Sequence, residues 1–273
     1  MPCPARQKIL NVSGLRVCVA TRQGDRELLH NVNFTLGRGE IHGLVGESGC
    51  GKTLFARTLV RLEAPARIVS GTVFLGNANI ADNTLATGST KREAFRGKKI
   101  SLVLQNPASA MDPVFTMASQ FKDALSTLPK SDQSMDRVYH LLNDVGIPSP
   151  THRCRQYPHE WSRGMLQRAQ VVMALLGNPG IIILDEVTSA LDPTIALQII
   201  ELISRLRQKR NTAFVFITHD LAMAAHICDT ISVMRHGTIL ETNDAKTLFN
   251  QPENAYTKAF LSGTRPEDSC PNP

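Results

Sequence analysis

Residues Gly46, Glu47, Ser48, Gly49, Cys50, Gly51, Lys52 and Thr53 run consecutively as a glycine-rich stretch closed by a lysine and a hydroxyl. Such a stretch suits the binding of phosphate. Its glycines let main-chain N–H groups wrap around phosphate oxygens, so all eight residues are candidate nucleotide contacts. Lys52 supplies a point charge for β and γ phosphates, and the Thr53 hydroxyl is suited to ligate Mg²⁺. A helix beginning here adds the positive end of its dipole.

A second group of residues complements the first. In "IIILDE", four apolar residues make an interior strand that delivers Asp185 to its C-terminal edge. There the carboxylate is placed to hold the shell of a magnesium ion through water. Glu186, one residue further, is a candidate to polarise an attacking water. Gln105 closes the apolar run "KISLVLQ", and His219 follows the apolar run "TAFVFIT". Taken singly, each of these reads equally well as a plain strand-end residue.

The elements around these residues follow from patterning. "ILNVSGLRVCV" and "LLHNVNFTL" flank the turn-rich "ATRQGDRE", which predicts a β-hairpin. "EIHGLVG" is a short apolar strand leading into the glycine turn, and "KTLFARTLVRL" carries Leu54, Leu59 and Leu62 at helical spacing. The order strand, glycine turn, helix is the α/β phosphate-binding arrangement. Residues 77–98 are polar and weakly patterned, a loop with a short helix. Residues 116–146 look helical and lie between strand-rich parts, as an inserted helical subdomain does. "PTIALQIIELISRLRQKR" is a helix between two buried strands, and "ISVMRHGTILE" is a hairpin turning at Gly237. Two short helices and a Pro-rich tail close the chain.

Composition sets the bounds. At 273 residues with 42% hydrophobic and 20% charged residues, the chain is long enough for one large globular domain. The net charge of +6 is a mild excess, and without a block of like charges it points to no nucleic-acid partner. Cysteines 3, 18, 50, 154, 228 and 270 form no CxxC pair, so no zinc or cluster framework follows, and scattered thiols suit a reducing cytosol. Neither a signal peptide nor an apolar run of about 18 residues is present, so any membrane role comes through a partner.

In order and approximate spacing, Gly46–Thr53, Gln105, "WSRGMLQR", "LDEVTSALD" and "ITHD" resemble the ATPase subunits of ABC transporters, across nearly the whole chain. The resemblance implies an α/β P-loop NTPase of ABC type: a mixed sheet core, an N-terminal antiparallel β subdomain and an inserted α-helical subdomain. One ATP-binding domain would span 1–265, with its core in 1–110 and 178–245, helices over about 111–177, C-terminal helices over about 246–262, and a frayed tail at 266–273. Gln105 would then touch Mg²⁺ beside the groove where a membrane subunit docks, and His219 would contact the γ phosphate. Ser189, Ala190, Leu191 and Asp192 would lie at a dimer interface. Ser162, Arg163, Gly164 and Met165 would face the ATP held by the opposite subunit.

"VGESGCGKT", "LQNPASAMDP", "YPHE" and "GMLQR" further resemble importers of peptides, nickel and metal–chelator complexes. The chain looks most like their short nickel-type subunits, since of the cysteine-rich tail of longer peptide-type subunits only Cys270 remains. The resemblance implies hydrolysis of ATP with Mg²⁺ to energise uptake, on the cytoplasmic face of the inner membrane. The implied partners are two transmembrane permease subunits, a second and different ATPase subunit and, indirectly, an extracytoplasmic solute-binding protein. The alternative is a regulatory nucleotide-binding module with impaired hydrolysis, favoured by Arg163 and opposed by Glu186 and His219.

Four positions depart from the family pattern. Arg163 stands where a glycine is usual, bringing bulk and charge to a place of close approach. Val19 falls where an aromatic residue usually stacks on adenine, and offers no π surface. Val187 replaces a proline after Glu186, a change expected to matter little. Cys50 occupies a position often held by serine, where Lys52 and the helix start are expected to lower its thiol pKa and leave it reactive.

Overall fold

The computed structural model describes residues 7–81, 95–189 and 191–263. Ala190 and the tail at 266–273 therefore lie outside the described residues, as does most of the polar stretch from 77 to 98. Two sheets form the frame. The first is antiparallel, in the order β2-β1-β4-β5, with β1 at Lys8–Thr21, β2 at Gly24–Gly37, β4 at Ala66–Leu75 and β5 at Ala78–Asn79. The anticipated hairpin closes where Thr21 pairs with Gly24. β4 is an addition to the sequence reading, which assigns nothing to that stretch.

The second sheet has the order β10-β9-β3-β8-β7-β6, comprising β3 (Ile41–Val45), β6 (Ile100–Val103), β7 (Ile181–Asp185), β8 (Ala213–Thr218), β9 (Thr230–Arg235) and β10 (Thr238–Asp244). Neighbours run parallel from β9 to β6, and only the edge strand β10 is antiparallel. A parallel sheet is covered on both faces, so its strands are apolar throughout. The two-residue period assigns the faces. Ile182 and Leu184 of β7, with Phe214 and Phe216 of β8, join one apolar cluster; Ile181, Ile183, Val215 and Ile217 join another. The second cluster also takes in the antiparallel sheet and Phe55 of α1 (Lys52–Leu59).

Helices cover the first face. Between β6 and β7 lie α2 (Met117–Ser126), α3 (Met135–Asp144), α4 (Pro150–Arg153) and α5 (Arg163–Leu175). Their residues Met117, Phe121, Leu141 and Leu166 belong to the same cluster as Ile182 and Phe214, so the helical stretch shares the core of the sheet. α6 (Pro193–Arg210) opens on a proline at its first turn and closes at Asn211 with φ 54°, the left-handed stop that asparagine tolerates. α7 (Leu221–Ile227), α8 (Ala245–Asn250) and α9 (Ala255–Leu261) complete the layer.

One buried polar side chain holds the strand that leads into the glycine turn. His42 in β3 is 1% exposed, with Nδ1 2.9 Å from the Thr35 carbonyl and Nε2 2.8 Å from Ser232 Oγ. A carbonyl only accepts, so Nδ1 carries the proton and Nε2 accepts from the serine hydroxyl. Burial lowers the imidazole pKa to about 4, outweighing the attraction of Glu40.

Candidate functional site

β3 ends at Val45 and the chain enters the glycine-rich loop at once. Gly46, Gly49 and Gly51 all take positive φ, at 155°, 81° and 112°. At Gly46 the need is also steric: a Cβ would sit 2.2 Å from the Met234 carbonyl oxygen. α1 starts directly after Gly51, so its free N–H groups point at the loop's mouth.

Lys52 is only 4% exposed, and its ammonium donates to the carbonyls of Gly46 and Glu47, both at 2.8 Å. No carboxylate pairs with it among the described residues. A buried ammonium held by two carbonyl dipoles and a long contact to the Cys50 sulfur is a ready counter-ion for an anionic ligand. The Thr53 hydroxyl donates to Asp185 Oδ1 at 3.2 Å, joining the two groups read from sequence as magnesium ligands. Burial pushes the Asp185 carboxyl above its ordinary range, and the neighbouring Glu186 charge adds to this while Thr53 and Lys52 pull the other way. A hydroxyl and a carboxylate side by side at a strand end fit a hard, oxygen-loving cation.

Glu186 adopts φ 49°, unusual for a residue with a side chain, and its N–H donates to the Ile217 carbonyl at 3.0 Å. The turn aims the carboxylate back over the loop. Gln105 Nε2 donates to Glu186 Oε2 at 2.7 Å and to Ser189 Oγ at 3.3 Å, while His219 Nδ1 stands 3.6 Å from Glu186 Oε1. Gln105, Glu186, Ser189 and His219, separate in sequence, thus converge. Gln105 and Glu186 line one cleft of about 390 Å³ with Ser48, Gly49, Lys52 and Thr53.

The cleft also contains a residue the sequence reading missed. Leu28 on β2 joins Leu54 of α1 in its apolar wall, whereas Val19, half-buried on β1, is not among its lining residues. Leu28 reaches the site because Gly237 ties β2 to the loop. The Gly237 N–H donates to the Cys50 carbonyl at 2.8 Å, and the Gly237 carbonyl accepts from the His30 N–H at 2.9 Å. A Cβ at Gly237 would lie 2.2 Å from the Leu28 carbonyl oxygen, so only glycine fits. Sequence patterning reads Gly237 as a hairpin turn; its second contact is tertiary and has no local signal.

Cys50 corrects the sequence expectation. Its thiol is buried at 6% exposure, and burial pushes its pKa up despite Lys52 Nζ at 3.8 Å. Loss of hydration disfavours the thiolate more than the nearby ammonium favours it. Burial therefore works against the reactive thiolate expected from sequence.

Residues 162–165 lie at the start of α5. Ser162 caps the helix, its Oγ accepting from the Met165 N–H at 3.3 Å. Arg163 is exposed and has ordinary right-handed helical backbone, so no positive φ is lost by replacing glycine there. Gly164 is buried, and a Cβ on it would meet Ile195 Cγ2 at 3.0 Å, which brings α5 and the start of α6 close together. Trp161 is buried at 5% exposure behind this segment, its indole N–H donating to the Arg153 carbonyl at 3.3 Å. Leu191 packs against the core, and Asp192 caps α6 by accepting from the Thr194 N–H at 2.9 Å. Neither Leu191 nor Asp192 lines the cleft.

Known proteins are similar to this chain. A family model described as ABC transporter matches residues 29–189. The dipeptide transport ATP-binding protein DppD of Bacillus subtilis is 36% identical over 259 residues, 93% of this chain and 76% of its own length. The oligopeptide transport ATP-binding protein OppD of Lactococcus lactis subsp. lactis is 33% identical over 258 residues, 93% of this chain and 75% of its own. A solved dimeric ATP-binding cassette in a post-hydrolysis state with ADP and phosphate has a TM-score of 0.74 at 22% identity, covering 86% of this chain and 98% of that one. CbiO1 from Clostridium perfringens also has a TM-score of 0.74, at 24% identity, covering 94% and 96%. At these identities the two solved structures speak to fold alone.

Proposed function

Since the chain belongs to the ABC transporter ATP-binding family, we propose that it powers the uptake of short peptides, with Mg²⁺-bound ATP seated on residues 46–53. It is an ABC-type ATPase whose hydrolysis is coupled to transport. The observation that carries the site assignment is the buried Lys52 ammonium, held by two carbonyls and facing the Thr53–Asp185 pair. Phosphate oxygens replace those carbonyls as partners of Lys52, and their charge removes the cost of its burial. Thr53 and Asp185 would hold the magnesium ion, which neutralises charge on the phosphates. Glu186 takes the proton of the attacking water, and His219 and Gln105 orient the carboxylate and the γ phosphate around it.

Peptide is the favoured cargo because relatives matching across most of the chain carry dipeptide and oligopeptide names. Nickel or a metal–chelator complex is the second cargo class, and parallel uptake assays with a dipeptide and chelated nickel separate the two. No described helix is long and apolar enough to cross a membrane. Coupling to transport is proposed to run through permease subunits, because the relatives are transport ATP-binding proteins. The surface proposed to receive them is an apolar groove of about 300 Å³ between β6 and α5, lined by Leu62, Leu102, Leu104, Met111 and Met173. It lies one residue from Gln105, which connects docking to the Glu186 carboxylate.

A different ATPase subunit is the proposed dimer partner. Arg163 on both sides of a self-dimer places bulk and charge at both composite sites, where a heterodimer places it at one. The same exposed Arg163 favours the second functional reading, a regulatory module with impaired hydrolysis. The test is turnover by the assembled transporter. Glu186→Gln should retain ATP unhydrolysed and Lys52→Ala should fail to hold it; wild-type hydrolysis in Glu186→Gln removes Glu186 from the mechanism.

A further inference from the structure

A second cleft, larger than the one over the phosphate loop, opens at the opposite edge of the parallel sheet. Its volume is about 630 Å³, and it lies where β7 and β8 begin rather than where they end. Four cations line it from three separate parts of the chain: Arg38 from the turn before β3, Lys98 and Lys99 from the turn before β6, and Arg210 from the end of α6. No aspartate or glutamate is among its lining residues.

Basic residues at the end of a helix have an ordinary explanation, since they complement the negative end of the dipole. The last turn of α6 shows how that ordinary role looks when it is satisfied. Arg207 pairs with Asp229 at 2.9 Å, and Lys209 pairs with Asp144 at 3.1 Å. Arg210 differs. Its Nη1 donates to the Asn178 side-chain oxygen at 3.2 Å, and its buried Nε–H finds no acceptor among the described residues. A buried donor without a partner is costly, and a charged one more so. Arg38, Lys98 and Lys99 also have no carboxylate partner among the described residues. Cations gathered around one concavity repel one another unless something anionic lies between them.

We propose that this cleft binds a small polyanion bearing two or more phosphate or carboxylate groups, held by Arg38, Lys98, Lys99 and Arg210. The cleft's apolar residues, Ile9, Leu75 and Pro179, leave room for an organic body beside the charged groups. The site shares no lining residue with the phosphate-loop cleft, so the two can be occupied at once.

The experiment uses full-length Lys52→Ala protein, which removes the competing lysine of the phosphate loop, with pyrophosphate and citrate as probes in titration calorimetry at low ionic strength. One-to-one saturable binding is expected. It should weaken by about tenfold or more in Lys52→Ala/Lys98→Glu/Lys99→Glu, and also in Lys52→Ala/Arg210→Gln. The two lysines are exposed, so their replacement leaves the fold intact, which circular dichroism verifies. Binding of both probes marks a general polyanion site, pyrophosphate alone a phosphate site, and citrate alone a carboxylate site; each supports the assignment. The absence of saturable binding in Lys52→Ala protein overturns it, as does binding that the charge reversals leave unchanged.

Discussion

Acidification should weaken this protein through His42, and the size of the effect follows from the strand it occupies. The imidazole has a folded pKa of about 4 because burial disfavours its charged form. In the unfolded chain the same ring titrates near about 6.5. The unfolded state therefore binds the proton first, and stability is lost as pH falls from the unfolded value toward the folded one. Between about pH 7.5 and about pH 5 the loss from this group is about 2 kcal/mol, rising to about 3 kcal/mol near pH 4. That is a large fraction of the total stability of an ordinary domain.

The assay is urea unfolding across this pH range, comparing wild type with His42→Gln. Titrating groups away from this strand contribute equally to both proteins, so the difference in slope isolates His42 together with its neighbour Glu40, 3.6 Å away. The glutamine variant loses some packing against Phe34, whose ring centroid lies 4.2 Å from that of His42, and should be less stable at neutral pH. Its stability should nevertheless fall less steeply with acid. Parallel curves for the two proteins, or an imidazole that titrates near its ordinary value by NMR in the folded state, would refute the reasoning.

Three further outcomes follow from the site. Native protein treated with maleimide should show Cys50 unlabelled by mass spectrometry, with labelling in urea; rapid native labelling means the thiol is not buried. Gly46→Ala should abolish nucleotide binding and cost about 1–3 kcal/mol in unfolding assays, because the methyl collides with a main-chain carbonyl at a backbone angle that alanine avoids. Arg163→Gly should raise ATPase activity of the assembled complex severalfold, about 1 kcal/mol of barrier, if arginine obstructs the partner's nucleotide; unchanged activity places the side chain in solvent.

The shape of the glycine-rich loop was legible in sequence because its signal resides in consecutive residues, where glycine spacing fixes the backbone and Lys52 opens the helix. Asp185 and Glu186 were legible because an apolar strand must expose whatever ends it. β4 was missed for a local reason. Gly71 and Ser70 interrupt its apolar alternation, and its pairing with β1 shifts register beside them. Leu28 and the tertiary contact of Gly237, whose place in the hairpin turn was legible, were missed because these roles arise only when β2, the last hairpin and the loop meet. The Cys50 expectation failed on a competition that sequence does not display. The neighbouring charge is visible in the text of the chain, whereas the desolvation that outweighs it depends on packing.

Trp161 has a practical consequence. It is the sole tryptophan of the chain, buried directly beside Ser162, with its indole anchored to the end of α4. Its anchor, Arg153, is the last residue of α4, and the molecule therefore carries an intrinsic fluorophore at the segment proposed to meet a neighbouring subunit. All its tryptophan emission originates from this one position, so a change in intensity or wavelength reports there without attached dye. Mixing with a partner subunit that lacks tryptophan turns subunit assembly into an optical signal, resolvable in time by stopped flow.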